Sequence, residues 1–372
     1  MIRFFTASFD ASVYLQQPDQ NAGRDEVLEV GKLYYGDSKE VCRTLIKFPI
    51  SQIVSTLNEV NLNVTASNWK AYLNLKSVQA EEIPLEYTIY ANAVSQSWSM
   101  GTGTKFDNIT SDGVSWKYRN GVNSWQDNTI AGTAVFNVGT TGSANAEGGT
   151  WYTASQASQS FSYEEADIRM DVTDITKLWI SGSASGGFDN NGFIIHHSLE
   201  NESDTTDYGL LKFFSKETNT IYEPKLEIDW FDFSYTSSLS TPSGSVNDGY
   251  KLVVLNLQKE YKQNTRTKIR VKARDMYPLK SFSNTFEYAQ SKKLPIPTFY
   301  QIEDYKTGDV ICPFSTYTQI SADNTSNYFW LYLDNYPTNR TYKIKFRVDD
   351  IDQQGVTWST IIDERYLFEI ID

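Results

Sequence analysis

Two adjacent histidines, His196 and His197, are the only ones among 372 residues, so any imidazole chemistry is confined to one place. They follow Gly192 and the apolar run Phe193-Ile194-Ile195, which reads as a buried strand. Neighbours on a strand point to opposite faces, so the pair cannot chelate one metal as a unit. One ring is expected in the core or an interface and the other at the surface. So little histidine also argues against a Ser-His-Asp or Cys-His nucleophilic site. Carboxylates stand close together at Glu164-Glu165, Asp171/Asp174, Asp349-Asp350/Asp352 and Asp363-Glu364. A glycosidase needs two carboxylates facing each other across a cleft. Sequence neighbours carry no such sign, and these read as solvated loop and strand-end charges. The stretch Asp349–Gly355 gathers hard oxygen ligands but lacks the Asp-x-Asp-x-Asp-Gly register and a closing glutamate. Asp189-Asn190-Asn191-Gly192 reads equally well as turn chemistry. Calcium stays open as an alternative, and no other cofactor is implied: there is no GxGxxG, Walker loop, GxSxG or CxxC. No catalytic residue is assigned, and the chain is expected not to be an enzyme.

The tryptophans carry the other chemistry. Trp98, Trp116, Trp125 and Trp151 lie in a polar, glycine-rich insertion at about 95–166. Flat aromatic faces stack on sugar rings or anchor protein interfaces, which makes these four the candidate glycan or interface residues. The alternative is that buried indoles staple loops onto a sheet. A structureless loop of this length is improbable in a compact domain. The insertion therefore reads as loops and short strands pinned by tryptophans, with Gly101, Gly103, Gly113 and Gly121 supplying left-handed turns.

Aromatic residues make up 14% of the chain, and helix-favouring runs of Ala, Leu, Glu and Lys are scarce, so strands should dominate. Charge is uneven. Residues 235–372 hold 17 Lys and Arg against 16 Asp and Glu, which leaves residues 1–234 with 16 against 30, a net of −14. Phosphate binding needs clustered cations, so nucleic acid is not an expected partner. Cys42 and Cys312, far apart, read as small core residues. The opening MIRFFTASFDASVYLQ has no basic then apolar leader and reads as a first strand, and no apolar run is long enough to span a membrane. Synthesis in a cytoplasm is expected, which makes the five Asn-x-Ser/Thr sites chance matches.

Strands are expected at Val27–Gly31, Val41–Phe48, Ala71–Leu75 and Leu85–Tyr90, with a short segment Ile50–Ile53 after the second. Asp171–Trp179 reads as a short amphipathic helix with Val172, Ile175 and Trp179 on one side and Thr173 or Asp174 as its cap. Pro224 opens the alternating strand Leu226/Ile228/Trp230. The Ser/Thr/Gly/Pro stretch 233–250 reads as a linker. Beyond it, Lys251–Leu257, Thr267–Ala273, Tyr328–Leu333 and Tyr342–Val348 read as strands. In the last, Tyr342/Ile344/Phe346/Val348 should be buried and Lys343/Lys345/Arg347 solvated.

The order MDVTDITKLW, glycine loop, NNGFIIH and EPKLEIDW, preceded by R-T-L-I-K-F-P-I at residues 43–50, resembles the DNRLRE domain, a β-sandwich of bacterial surface proteins, polysaccharide-binding modules and tailed-phage virion proteins. The series from Tyr300 to Val348 resembles the C-terminal module of virion proteins in marine T4-like phages. The resemblance implies an all-β chain of two sandwiches, a DNRLRE or jelly-roll-like one at 1–232 and an immunoglobulin-like one at 251–372. It also implies a non-enzymatic structural component of a tailed-phage virion, in the tail, neck or collar, baseplate or capsid exterior. Such a chain would be made in the host cytoplasm and contact other virion proteins as a homo-oligomer. The alternative is a carbohydrate-binding adhesion module for host or extracellular polysaccharide. Arg43, Lys47, Lys117 and Arg119 are the cations that could line its groove.

Overall fold

The aromatic and β-branched bias is realised as strand: in the computed structural model the chain is 47% strand and 8% helix, an all-β fold with several antiparallel sheets. The structure describes residues 1–36, 38–81, 83–84, 86–125, 135–136, 147–162, 166–200, 205–242, 250–276, 291–351 and 357–372. The middle of the tryptophan-rich insertion, residues 243–249 of the linker, Glu164, Glu165 and the stretch Asp352–Gly355 therefore lie outside the described residues. The chain divides into two compact units, Phe5–Ile228 and Met1–Phe4 with Asp229–Asp372.

In the first half of the chain the strands are β1 (Ile2–Thr6), β2 (Phe9–Tyr14), β3 (Val27–Tyr35), β4 (Ser38–Lys47), β5 (Trp69–Leu75), β6 (Ser77–Glu81), β7 (Glu86–Val94), β8 (Val135–Phe136), β9 (Trp151–Ser162), β10 (Ile168–Asp171), β11 (Phe193–His197), β12 (Gly209–Phe214) and β13 (Lys225–Trp230). They form a four-stranded sheet, β1-β13-β5-β10, and a nine-stranded one, β6-β12-β3-β4-β11-β7-β9-β8, with β2 added to the Cys42–Lys47 half of β4. The division between the units falls within β1 and β13.

The opening segment differs from expectation. It is two strands, β1 and β2, broken at Ala7-Ser8, each joined to a different sheet. Ile50–Ile53 grows into a helix, α1 (Ile50–Glu59), because Ile53 and Leu57 recur at helical spacing and are buried. The second helix, α2 (Thr173–Ser181), falls where expected, with Ile175 and Trp179 buried. Its start is fixed differently: Asp171 Oδ1 accepts from the Thr173 amide (3.0 Å) and hydroxyl, while Thr173 Oγ1 accepts from the Ala71 amide (3.0 Å). An aspartate carboxylate reaches the amide two residues on, so the turn forms one residue earlier than a cap at Thr173 would place it. Within the insertion, β9 is a 12-residue strand paired along β7, longer than the short strands the glycine content suggested.

In the second unit the strands are β14 (Tyr250–Val254), β15 (Glu260–Lys262), β16 (Arg266–Asp275), β17 (Thr298–Asp304), β18 (Val310–Cys312), β19 (Ser321–Ala322), β20 (Asn327–Tyr332), β21 (Arg340–Ile351) and β22 (Thr357–Ile371). One sheet runs β14-β16-β20-β19 and the other β15-β22-β21-β17-β18. Ile269, Val271 and Phe329 from the first meet Ile302, Ile344, Phe346 and Phe368 from the second in one core, as two stacked sheets require. Tyr342, Ile344, Phe346 and Val348 are at most 1% exposed, and alternate with Lys343, Lys345 and Arg347 as read from the sequence.

Candidate functional site: a tryptophan-stapled loop layer

Strand β4 is buried at every position from Val41 to Ile46, on both faces. Its Val41/Arg43/Leu45 face lies against a layer of loops drawn from residues 95–125 and 148–151. Ala11, Val13, Leu45, Val94 and Ile194 meet Trp98, Trp116, Trp125 and Trp151 there in a single buried cluster. The four indoles are 8%, 4%, 0% and 2% exposed. Folding thus brings together all four tryptophans singled out from the sequence, and none presents an open ring face. Trp98 Nε1 donates to the Asn191 carbonyl (2.7 Å) and Trp125 Nε1 to the Ser115 carbonyl (3.1 Å), so their polar edges tie the layer down as well. A sugar stacks on an accessible face. The platform role therefore does not fall to these four residues.

At the centre of the layer is a buried ion pair. Arg43 Nη2 lies 2.9 Å from Glu200 Oε1, and Arg43 Nε donates to both Glu200 oxygens at 3.1 and 3.2 Å. Arg43 Nη1 donates to the Gly148 carbonyl (2.6 Å). The guanidinium lies under two indoles, 4.7 Å from the Trp116 ring centre and 5.1 Å from that of Trp151. A cation this deep needs its charge answered and its donors used, and one carboxylate, one carbonyl and two rings do both. Gly148 allows the approach: it has φ +79°, and a Cβ there would lie 2.5 Å from Arg43 Nη1.

Both histidines belong to this sheet, and both are buried, at 5% and 1% exposure. The expectation that one would be at the surface fails because both faces of β11 are covered. His196 faces the loop layer, with Nδ1 3.6 Å from Glu200 Oε1 and Nε2 3.2 Å from Asn92 Oδ1. The Asn92 amide group donates to the Tyr152 carbonyl, which orients its oxygen towards His196 and makes Nε2 the protonated nitrogen. On the other face, His197 stacks with Tyr87 at 6.0 Å, and its Nδ1 accepts from the Leu199 amide. Burial pushes both imidazoles down, His197 to about 4, so both are neutral at pH 7.

A second anchor of the layer, Asn21, went unnoticed in the sequence. It is fully buried, and its amide group donates to the Met100 and Val114 carbonyls (2.7 and 2.8 Å), while its oxygen accepts from the Gly103 amide (2.8 Å). Of the four glycines expected in left-handed turns, Gly101 and Gly121 have positive φ. Gly103 and Gly113 are instead close-approach positions beside Asn21, where a Cβ would come within 2.5 and 2.6 Å of its atoms.

The remaining candidates are placed as follows. Arg43 is sealed under the indoles. Lys117 pairs with Asp19 (3.1 Å), Arg119 donates to the Ser97 carbonyl (2.9 Å), and half-buried Lys47 is pushed down by burial. Asp171 also accepts from Lys70, and that contact with Thr173 outweighs burial and holds its carboxyl below the usual range. Asp189 accepts from Ser183, and Asn190 bridges the Phe48 carbonyl and the Gly192 amide, which is turn chemistry. Asp363 pairs with Lys343, and Asp349 accepts from Ser359. Among the described residues no group of three or more His, Cys, Asp or Glu is placed to hold a metal ion. Cys42 and Cys312 are buried thiols, as expected of small core residues. No described helix is long and apolar enough to cross a membrane.

The outer surface of the layer carries a cavity of about 410 Å³, open to solvent, between Gln16–Gln20 on one side and Lys105, Phe106, Asp107 and Ile109 on the other. Phe106 is 90% and Ile109 74% exposed. Lys105 is held by Glu29 (2.6 Å) and lies over the Tyr14 ring, which fixes this wall. The sequence signal for the groove was faint: two lone apolar residues in the polar loop Thr104-Lys-Phe-Asp-Asn-Ile-Thr110. No protein-family model and no curated protein matches the chain.

Proposed function

We propose that this chain is a non-catalytic structural protein of a tailed-phage particle, working through surfaces rather than through a reaction. The observation that carries the non-catalytic part is how its reactive groups are used. Arg43 and Glu200 are paired beneath tryptophans with His196 buried beside them, and among the described carboxylates Asp171 holds a helix start and Asp363 answers Lys343. Charge held in this way is scaffold. The particle assignment rests on the resemblance of residues 171–230 to DNRLRE sandwiches of virion proteins and of residues 300–348 to a phage virion module. Other virion proteins are the proposed partners, with the chain present as a homo-oligomer. Locating the chain in a density map of the assembled particle tests this, and intact infectious particles that lack the chain would overturn it.

The groove at Gln16–Gln20 and Lys105–Ile109 favours a second reading compatible with the first, contact with an extracellular polysaccharide. An exposed ring beside amide and carboxylate side chains is a combination that recognises sugars. A glycan array compared between wild type and Phe106→Ala tests it. Binding that the variant loses supports the reading, and no binding above background by the wild type removes it.

A further inference from the structure

The second unit carries a charged face that nothing above uses. Strand β16 reads Arg266-Thr-Lys268-Ile-Arg270-Val-Lys272-Ala-Arg274, with a cation at every second position. Period two puts all five on one face, and the opposite positions Ile269, Val271 and Ala273 are 0% exposed in the core. The cations therefore line the outer surface of the sheet β14-β16-β20-β19.

Four of their cross-strand neighbours are aromatic or aliphatic, and the fifth, opposite Arg274, is Lys251. Arg266 is opposite Tyr332, Lys268 opposite Trp330, Arg270 opposite Tyr328 and Lys272 opposite Val253. Lys268 Nζ lies 3.5 Å from the Tyr328 ring centre, and Arg266 lies 5.2 Å from that of Trp330. Val253 and Leu255 stay 42% and 52% exposed beside them. Asp323 answers Lys268 and Arg270, at 3.3 and 3.1 Å.

The contrast with β21 in the same unit is informative. There, Lys343 and Lys345 both reach Glu303 at 2.7 Å and also lie near Asp363, and Arg347 reaches Asp349 at 3.1 Å. A solvated basic face is ordinary when carboxylates are interleaved, as on β21. On β16 the residues opposite the row are Tyr332, Trp330, Tyr328, Val253 and Lys251, and Asp323 reaches Lys268 and Arg270 from beyond it. Lysines also protect sheet edges against stray pairing, but β16 is an inner strand, so that role does not explain the row.

We infer that this face is a docking surface for an acidic protein surface, and that its occupant is a second copy of this chain. Arg, Tyr and Trp beside exposed aliphatic side chains are the composition of interface centres. A nucleic-acid strand would have no use for Val253 and Leu255, and the rings on which its bases would stack already carry Lys268 and Arg266. The chain supplies the complementary charge itself, since residues 1–234 are net −14. A contact between two unlike patches is heterologous, so repetition builds a ring or a filament rather than a closed pair. The inference stands whether or not the chain belongs to a virion.

Sedimentation of the full chain across a concentration series tests it. At roughly 0.1 M salt, where opposite charges act over about 10 Å, the weight-average mass should rise with concentration. Raising the salt to about 0.6 M should weaken association about tenfold or more. The triple variant Arg266→Glu/Lys272→Glu/Arg274→Glu should abolish it while melting like wild type. Leu255→Ser, which changes no charge, should weaken it a few-fold and keeps the test valid if the triple variant misfolds. A chain that stays monomeric throughout, or a well-folded triple variant that associates like wild type, overturns the inference. Tight binding of a short oligothymidylate or of heparin by a chain that remains monomeric also overturns it, in favour of a polyanion occupant.

Discussion

Two sheet faces in this chain hold the same ingredients and use them in opposite ways. On β4, Arg43 lies between Trp116 and Trp151 and pairs with Glu200 beneath a layer of loops. On β16, Arg266, Lys268 and Arg270 lie beside Tyr328 and Trp330, with Asp323 as counter-charge, and no such layer of tryptophans encloses them. The difference lies in the solvent. Under the loops the Arg43–Glu200 attraction is strong, but removing both ions from water cancels much of it, so the pair specifies how the layer sits more than it stabilises the unit. On the open face each contact is weak, and the charge remains available to a partner. An arginine among aromatic rings is thus a staple or a docking site according to what covers it.

The largest test of this contrast removes one partner from each face. Arg43→Met leaves Glu200 buried without a counter-charge and should cost about 3–5 kcal/mol in denaturant unfolding. Arg270→Met should cost less than about 1 kcal/mol, because water re-solvates Asp323. Similar losses at the two sites would break the comparison. Replacing both members of the buried pair, as Arg43→Met/Glu200→Leu, should recover most of the loss.

Next in size are the rings. Trp116→Ala empties a site that is 4% exposed and should cost about 3–5 kcal/mol. Trp330→Ala, on the half-buried outer face, should cost about 1 kcal/mol and act mainly on association. Fluorescence-monitored unfolding of both variants separates the outcomes.

Most of the strand plan was legible because it rests on alternation. Tyr342–Val348 and Ala71–Leu75 each carry a buried side chain at every second position, and short-range pattern was sufficient. In Leu226–Trp230 the apolar residues alternate too, although Glu227 and Asp229 between them are also buried. The basic row on β16 was equally legible by the same period, at Arg266 to Arg274, but a regional net charge near zero hides a one-sided stripe. The loop layer was half legible: four tryptophans in polar sequence signalled pinning, yet whether an indole faces water depends on a partner 40 to 150 residues away, such as Arg43 or Ile194. Asn21 and Glu200 could not be read at all, because a single buried amide or carboxylate has no periodicity. Their roles arise only when Met100 and Val114, or Arg43, arrive from distant chain segments.

The pH dependence sharpens the contrast between buried and open charge. His197 has a folded pKa near 4 because burial disfavours its cation, against an ordinary value of 6.5. Between those values the unfolded chain binds the extra proton, so stability is full above about pH 6.5 and falls as pH drops towards 4, by up to about 3 kcal/mol. Asp10 runs the other way. Burial raises its pKa to about 7 from 3.8, so the native state holds the extra proton in that window and stability declines as pH rises through it. His197→Phe should flatten the acid limb of the stability profile and Asp10→Asn the neutral limb, as read from unfolding midpoints at pH 4.5, 6 and 8.

The smallest expected stability change bears most directly on the open face. Asp323 accepts from Lys268 and Arg270, and its Oδ1 also accepts from the Thr325 and Ser326 amides at 2.9 and 3.1 Å. Asp323→Asn keeps an oxygen for those amides and removes only the charge, from a side chain that is 27% exposed. Stability should change by less than about 1 kcal/mol, and less still at high salt. Lys268 and Arg270 would then lose this counter-charge, and association with an acidic surface should tighten a few-fold at low salt. At Glu200 the neutral substitution has no such second effect, because no partner reaches it. If Asp323→Asn weakens association, or destabilises the unit as strongly as Arg43→Met destabilises the other, the open face is scaffold after all and the distinction between the two faces fails.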